Sequence, residues 1–313
     1  MNVSVLLATY NGEKYLSEQL NSLLAQTYQD FNLIIHDDGS TDGTLEIIEE
    51  YRKKYSDKIK VLYGNSTGSA KTNFMWMLKQ IEADYYFLCD QDDVWFNDKI
   101  EKSLAEVQNI EKEKPGLPVA VFTDMQVVDA KLNKISDSFI RYIGRDYRNV
   151  AYTQILIDNP AAGCTMCFNR KLRDIAISGQ NINWENVPMH DAWILELAAV
   201  FGEINGIDMS MVYYRQTGNN TMGAETESKS DKLSRNVKLA ESGNFFEKKH
   251  TFINEARNFA KEIMKIDAIP DDKYKVLKEF VNIGNKPKLY RINFYKKYNF
   301  TRANHNAWMR LWV

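Results

Sequence analysis

Short apolar runs alternate with amphipathic helices through the first 95 residues, and this alternation limits the fold more than any other feature. The apolar runs occupy residues 3–7, 31–35, 59–63 and 85–89, and helical periodicity occupies residues 13–26, 44–55 and 70–81 between them. Strands that alternate with helices of this length form βαβ units with right-handed crossovers. The sequence therefore predicts an α/β protein built on a parallel sheet.

Small, turn-forming and acidic residues follow three of these strands. The first strand leads into Ala8, Thr9 and Tyr10, the second into Asp37 and Asp38, and the fourth into the segment Asp90-Gln91-Asp92-Asp93. Open α/β sheets bind ligands at the carboxyl ends of their strands. Carboxylates this close together repel one another and recruit a hard divalent cation, Mg²⁺ or Mn²⁺. The alternative is structural, because acids also cap helices, and a helix is predicted to begin near residue 98.

A glycine-rich stretch over residues 64–72 imitates a phosphate-binding loop. The pattern requires glycine immediately before the lysine, and Ala70 occupies that place before Lys71. No Gly-x-Gly-x-x-Gly follows the first strand either. An ATPase and a dinucleotide-dependent oxidoreductase are therefore both disfavoured.

The composition of the chain narrows the remaining functional classes. The chain has 313 residues with 44% hydrophobic content and a formal net charge of −2, so it can bury a large core and carries no basic field for nucleic acid. No apolar run approaches the roughly 20 residues that span a bilayer, and Met1 leads directly into a strand, so we expect a cytoplasmic protein. A strand over residues 163–168 is expected to bury Cys164 and Cys167 on opposite faces.

The three strand-end motifs together resemble family 2 inverting glycosyltransferases of GT-A fold. The similarity is strongest to bacterial rhamnosyltransferases and related surface-polysaccharide enzymes, and it covers roughly residues 1–222. It implies a mostly parallel central sheet flanked by helices, with a C-terminal helical extension. Residues 1–123 would bind the nucleotide sugar, residues 124–222 the acceptor, and residues 223–313 would form the helical region.

The resemblance also implies roles at the donor site. Ala8, Thr9 and Tyr10 would approach the base, Asp37 would accept its imide N–H, and Asp38 would lie nearby. In the Asp-x-Asp element, Asp90 would face the ribose or an ion-bound water, Gln91 would also belong to the nucleotide-sugar site, and Asp92 would bind Mn²⁺ or Mg²⁺. Arg215 would reach phosphate oxygens. Thr217 stands where related sequences often carry a metal-binding histidine, which leaves strict metal dependence open.

On the acceptor side, the resemblance makes Asp191 the catalytic base at the start of a helix, with His190 and Trp193 beside it. The structural alternative is that Asp191 caps this helix, and that His190 packs or hydrogen-bonds. Gly163 and Cys164 fall in a segment that resembles the family's acceptor-side strand, where the alternative is a glycine bulge. Residues 133–150 show no clear period and are expected to form a surface loop near the acceptor. Arg141, Arg145 and Arg148 in that loop are expected to be solvated, with contact to phosphate as the alternative.

Two features lie towards the end of the chain. An apolar stripe over residues 247–266 is expected to pack on the catalytic domain, with a homo-oligomer interface as the alternative. A basic and aromatic segment over residues 286–302 is expected to pack as a terminal helix whose basic stems cover the fold. The alternative for that segment is peripheral contact with the inner face of an anionic membrane.

The sequence thus predicts an inverting glycosyltransferase with dTDP-rhamnose or a UDP-hexose, such as UDP-glucose or UDP-galactose, as donor. The acceptor would be a hydroxyl of a growing bacterial surface glycan, lipid-linked or protein-linked. Two alternatives are a sugar nucleotidyltransferase and a catalytically silent scaffold subunit. A nucleotidyltransferase would lack a base such as Asp191 and would carry a basic glycine-rich triphosphate loop, which this sequence does not have near its first strand.

Overall fold

The first half of the molecule is a parallel sheet with a helix after each of its first three strands. A computed structural model describes residues 1–217 and 244–301, with only the backbone of residues 244–251. The elements are β1 (Val3–Thr9), α1 (Leu16–Leu24), β2 (Phe31–Asp37), α2 (Thr44–Lys54), β3 (Ile59–Val61), α3 (Ala70–Gln80) and β4 (Tyr85–Cys89). The strands β1 and β2 run two residues further than predicted and pair through Thr9 and Asp37. The motifs that follow β1 and β2 therefore begin at the same edge of the sheet.

Beyond β4 the sheet becomes mixed. The added elements are β5 (Val94–Trp95), α4 (Lys99–Glu113), β6 (Val119–Val128), β7 (Lys134–Ser136), β8 (Met166–Asn169) and β9 (Glu203–Arg215). The order is β3-β2-β1-β4-β8-β6-β9-β5, with β7 on β6. Because β8 runs antiparallel to β4, its amino end meets the carboxyl end of β4, so the turn before β8 lies beside Asp90.

Further helices cover the sheet or extend it. They are α5 (Phe139–Tyr142), α6 (Tyr152–Ile155), α7 (Arg170–Ser178), α8 (His190–Phe201), α9 (Asn244–Ile263), α10 (Asp271–Asn282) and α11 (Lys288–Lys297). Two expectations were wrong. Residues 133–150 hold β7 and α5 instead of an unstructured loop, and Gly163–Thr165 is a 3₁₀ turn that places Cys164 in the same core cluster as Cys167.

The core has two parts, one on each face of the sheet. Alternate residues of each strand enter opposite parts, so Val5 packs towards α1 and α4 while Leu6 packs towards α3, α7 and α8. The predicted packing of the 247–266 stripe on the catalytic domain is confirmed: Phe259 and Ile263 are buried, and Phe259 contacts the Trp193 ring. The stripe thus needs no second chain to cover it.

The terminal segment also packs on its own chain. Phe294, Tyr295 and Phe300 are buried, as expected for a packed terminal helix, while Leu289 remains 76% exposed. Tyr295 and Phe300 contact the Phe280 ring of α10, and Phe294 packs on both of them. Arg302, the last residue of the predicted segment, lies outside the described residues. No helix among the described residues is long and apolar enough to cross a bilayer.

Candidate active site

A cavity of about 1090 Å³ opens at the sheet edge where β1, β2 and β4 end. Ten of the residues singled out from the sequence line it: Ala8, Thr9, Tyr10, Asp38, Asp90, Gln91, Asp92, Gly163, His190 and Asp191. Four others do not: Asp37, Cys164, Trp193 and Arg215. The fold therefore brings the three donor motifs and the residues around Asp191 to one cavity.

The two acids after β2 are held by their surroundings. Asp37 accepts hydrogen bonds from the Thr9 hydroxyl at 2.8 Å and from the Ser40 amide at 2.7 Å, which fixes the turn to β1. Asp38 accepts from the Thr67 hydroxyl at 2.9 Å and the Gly68 amide at 3.0 Å. Asp38 thus ties the glycine-rich stretch to the cavity wall, and Asp37 lies behind it as part of the turn.

Gln91 joins the first and third motifs. Its side-chain amide donates to the Tyr10 carbonyl at 2.8 Å, and its side-chain oxygen accepts from the Tyr10 amide at 2.8 Å. A Cβ at Gly12 would lie 2.2 Å from the Gln91 oxygen, so glycine is needed for this approach. The middle residue of the Asp-x-Asp segment therefore extends the β1–β4 pairing and fixes both loops.

The carboxylates of Asp90 and Asp92 share the cavity with Asp191. Burial raises the pKa of Asp90 to about 7, and the negative charges of Asp92 and Asp191 add to the rise. Burial also raises the pKa of Asp92, which Arg215 offsets in part. A divalent cation would relieve the repulsion among these carboxylates, so the donor set suits a hard ion.

A second possible ligand group lies beneath them. Asp90, Asp93 and Cys164 each place one ligand atom within 4.8 Å of the others, a group that does not include Asp92. Burial raises the pKa of the Cys164 thiol well above its usual range, and sulfur is a soft ligand, whereas Mn²⁺ and Mg²⁺ prefer carboxylate oxygens. The carboxylates that face the cavity, Asp90 and Asp92, are the better candidates for Mn²⁺ or Mg²⁺.

Arg215 lies under the Asp-x-Asp segment instead of in the cavity. Its side chain is 1% exposed, and it donates to the Asp92 carbonyl at 2.9 Å, the Ala130 carbonyl at 2.7 Å and the Glu18 carboxylate at 2.6 Å. Its guanidinium also covers the Tyr15 ring at 4.4 Å. In this position Arg215 fixes the backbone of Asp92 from behind.

Asp191 lies in the first turn of α8 and is 9% exposed. Burial raises the pKa of Asp191 to about 6, while the Ala192 amide and the positive charge of Arg145 lower it by less. The Asn159 amide approaches its carboxylate at 3.4 Å. An ordinary carboxylate near pKa 4 is a weak base for an alcohol, and the rise to about 6 makes Asp191 a stronger one that is still ionised at neutral pH.

His190 is a packing residue. Burial lowers its pKa to about 3, neither ring nitrogen has a hydrogen-bond partner within the described part of the chain, and the ring lies 4.3 Å from that of Phe74. A Cβ at Gly163 would lie 2.4 Å from His190 Nε2. Gly163 therefore lets the turn before β8 approach α8 and narrows the cavity between Asp90 and Asp191.

Trp193 is a core residue. It is fully buried, its indole N–H donates to the Ala176 carbonyl at 3.0 Å, and its ring packs edge-on to Trp184. Trp193 follows Asp191 by two residues, about 200° around α8, so its side chain points away from the cavity. Arg145, Asp158 and Asn159 line the cavity instead.

Sequence reasoning missed several residues that line the cavity. Ser66, Gly68 and Asn73 come from the glycine-rich stretch and α3, and Arg145, Asp158 and Ile157 come from the segment before β8. A glycine- and serine-rich loop after a strand was the available signal for the first group. Arg145 was expected to be solvated, but its side chain is only 18% exposed and pairs with Asp158 at 2.9 Å.

The fold and the site define a nucleotide-sugar-transferase type of α/β enzyme, and comparison with known proteins agrees. Residues 4–175 match the family model described as glycosyl transferase family 2, so the chain belongs to that family and is a glycosyltransferase. The chain is 28% identical over 287 residues to the dTDP-rhamnosyl transferase RfbG of Shigella flexneri, covering 86% of each chain. Over 95 residues it is 43% identical to the poly(ribitol-phosphate) β-N-acetylglucosaminyltransferase TarS of Staphylococcus aureus, covering 30% of this chain and 16% of TarS.

Solved structures show the same fold. TarS residues 1–349 in complex with UDP-GlcNAc align with a TM-score of 0.55 at 22% identity, covering 95% of this chain and 80% of that one. The mannosyltransferase PcManGT of Pyrobaculum calidifontis, in complex with GDP-Man and Mn²⁺, aligns with a TM-score of 0.53 at 13% identity, covering 95% and 73%. The predicted family and GT-A fold are thus confirmed.

Proposed function

We propose that this glycosyltransferase moves a sugar, with inversion, from a nucleotide-diphosphate donor to a hydroxyl of a bacterial surface glycan. The observation that carries the proposal is that Asp191 lies in the same cavity as Asp90 and Asp92. The three carboxylates come from the carboxyl end of β4 and the start of α8, on both sides of one space. That arrangement suits a displacement in which one side accepts a proton and the other holds the leaving group.

The donor is proposed to lie between β1 and the Asp-x-Asp segment. Ala8 and Thr9 offer a close backbone approach for a pyrimidine base, and Asp38 and Ser66 line the same wall. Asp37 fixes the turn on which Asp38 is placed, and it would reach the base only if the turn released one of its hydrogen bonds. A dTDP-rhamnose or UDP-hexose donor is favoured by the rhamnosyl transferase and TarS relatives.

Asp90 and Asp92 would hold Mn²⁺ or Mg²⁺. The ion supplies charge neutralisation of the departing diphosphate when bound. Burial is the main cause of the raised pKa of Asp90, and the negative charges of Asp92 and Asp191 add to it; a cation between these carboxylates would offset that second contribution. Thr217 also lines the cavity, where its hydroxyl offers a weaker ligand than a histidine would.

Asp191 is proposed to accept the proton of the attacking hydroxyl as the new glycosidic bond forms. Its position at the first turn of α8 keeps the carboxylate close to backbone amides, and Asn159 holds one of its oxygens. Burial excludes water from the carboxylate, which raises its basicity. The acceptor would therefore enter between Gly163, Asn159 and the start of α8.

The test incubates the protein with a panel of UDP, dTDP and GDP sugars in the presence of Mn²⁺, Mg²⁺ or EDTA. Turnover is measured as release of the free nucleotide. Wild type is expected to cleave a UDP or dTDP sugar slowly without an acceptor, and EDTA is expected to reduce the rate. Asp98→Asn serves as a matched control for Asp92→Asn and Asp191→Asn, because Asp98 is an exposed acid that pairs with Lys102 on α4. No binding and no cleavage of any nucleotide sugar by wild type would refute the proposal and leave the silent scaffold as the better description.

A further inference from the structure

Arg145 and Asp158 form an ion pair within the cavity wall. Arg145 Nε lies 2.9 Å from Asp158 Oδ1, and the two side chains are only 18% and 8% exposed. A guanidinium has five N–H donors, and this contact uses one of them. No other hydrogen bond of the Arg145 guanidinium is found within residues 1–217 and 244–301, so further donors are available at the cavity surface.

Two nearby arginines show how unusual this burial is. Arg141 pairs with Asp208 and Arg148 pairs with Asp146, but the arginine side chains are 67% and 73% exposed. Neither pair lines the cavity. Exposed pairs of this type contribute about 0–1 kcal/mol to stability, and they can be lost without consequence. The Arg145 pair is the one of the three that is placed where a ligand can touch it.

The pair lies next to the proposed base. Asp158 and Asn159 are consecutive, and the Asn159 side chain contacts Asp191. The positive charge of Arg145 also reaches Asp191, since it lowers the pKa of that carboxyl. A sugar whose hydroxyl lies at Asp191 would therefore place its neighbouring hydroxyls at Asp158 and Arg145.

The charge of this region disfavours an anionic ligand at the acceptor end. Among the described residues that line the cavity at this end, two are acids, Asp158 and Asp191, and one is a base, Arg145. Asp158 already offsets the charge of Arg145. A carboxylate accepts a hydrogen bond from a hydroxyl, and a guanidinium donates to the oxygen of the next hydroxyl, so the pair matches two adjacent hydroxyls.

We infer that Arg145 and Asp158 form an acceptor subsite that selects a neutral sugar with adjacent free hydroxyls over one that carries a carboxylate or phosphate. This inference rests on the proposed function and adds the chemical class of the acceptor to it. Arg145 is a specificity-determining residue in this account, and Asp158 offsets its positive charge.

The test measures how much matched glycosides accelerate cleavage of the nucleotide sugar that wild type hydrolyses. The probes are methyl glucoside and methyl rhamnoside as neutral acceptors, and methyl glucuronide as the charged counterpart of the first. Neutral glycosides are expected to accelerate cleavage at least fivefold more than the glucuronide. In Arg145→Met the acceleration, expressed relative to the variant's own basal rate, is expected to fall roughly 10-fold or more.

Asp158→Asn gives the sharpest result, because it changes charge while keeping shape. It leaves the charge of Arg145 uncompensated. The ratio of acceleration by the glucuronide to acceleration by the neutral glycosides is therefore expected to rise by about 10-fold. A merely structural ion pair would lower all rates together and would not shift this preference. Arg148→Met is the matched control, since it removes an arginine of the same loop outside the cavity, and it is expected to match wild type.

The inference is overturned if the glucuronide accelerates wild type as well as the neutral glycosides do, if no glycoside accelerates it, or if Asp158→Asn keeps the wild-type preference. In each of these cases donor cleavage without acceptor still supports the proposed function. Absence of donor binding and cleavage in wild type would instead refute the proposed function itself. Melting temperatures of all variants identify any that fail to fold.

Discussion

The turn after β2 and the helix α8 surround their acidic side chains in opposite ways. After β2, Asp37 and Asp38 are surrounded by hydroxyl and amide donors from their own turn and from residues 66–68. On α8, Asp191 accepts from the Ala192 amide and the Asn159 side chain, and Glu196 has no hydrogen-bond partner for either carboxylate oxygen within the described chain. The first arrangement fixes a loop before any ligand arrives, whereas the second keeps buried carboxyl groups reactive.

The contrast holds for the turn after β2 and for α8, because burial also raises the pKa of Asp90 and Asp92 after β4. Burial raises the pKa of Asp191 to about 6 and that of Glu196 well above its usual range. Buried groups without partners destabilise a fold, and they persist most often where function needs them. The helix α8 thus gives up stability to hold buried carboxyl groups, while the turn after β2 is stabilised by its own hydrogen bonds.

The largest effect is expected at Asp92. Asp92→Asn keeps the shape of the side chain and removes the charge that would hold the cation, so we expect donor cleavage to fall about 10²- to 10³-fold. Steady-state rates with saturating Mn²⁺ measure this loss. A variant that keeps the wild-type rate and its sensitivity to EDTA would show that the metal is held elsewhere, for example by Asp90 and Asp93.

Asp37→Ala tests the donor half of the comparison. The substitution leaves the Thr9 and Ser40 donors without their partner, so we expect the free energy of unfolding to fall by about 1–3 kcal/mol. Urea denaturation measures the change. If stability is unchanged while donor affinity falls, Asp37 serves the base directly, as the sequence suggested, and the turn does not depend on it.

Gly163→Ala tests the close approach between the turn before β8 and α8. A Cβ there would lie 2.4 Å from His190 Nε2, so we expect a loss of about 1–3 kcal/mol in stability. His190→Ala in the same chain is expected to recover part of that loss, because it removes the side chain that the new methyl group meets. Additive losses in the double variant would contradict the packing role given to His190.

Glu196→Gln is expected to change stability less than the preceding variants and to raise it instead of lowering it. Because the folded pKa of Glu196 is raised, the wild-type carboxyl stabilises the fold fully only below its unfolded pKa, and that contribution is lost as pH rises. The variant does not titrate, so its melting temperature relative to wild type is expected to increase from about pH 4.5 upwards. A difference that is constant from pH 4 to pH 8 would show that Glu196 has a partner.

Local sequence signals predicted the donor half because its strands are continuous apolar runs that end in turn residues. The run from Tyr85 to Cys89 matches β4 at both ends, and the residues after β1, β2 and β4 meet at one edge because parallel strands place them there. The family resemblance added Asp191, whose helix start was visible from Pro188 onward.

The remaining features depend on long-range order that single residues do not reveal. Arg215 lies behind Asp92 because β9 runs parallel to β6 and antiparallel to β5, a pairing that no local pattern specifies. Arg145 and Arg148 look alike in sequence, yet only Arg145 faces the cavity, because the chain folds back at Asp158. The burial of Asp191, and hence its altered pKa, follows from the same packing.

The most direct test of the account is the rate of sugar transfer by Asp191→Asn, measured at saturating donor and beside the donor affinity of the same protein. The account predicts a loss of about 10²- to 10⁴-fold in rate with donor affinity largely kept. In wild type, the rate is expected to fall as pH drops through about 6, the pKa of Asp191. Transfer by the variant at the wild-type rate would show that Asp191 is not the base.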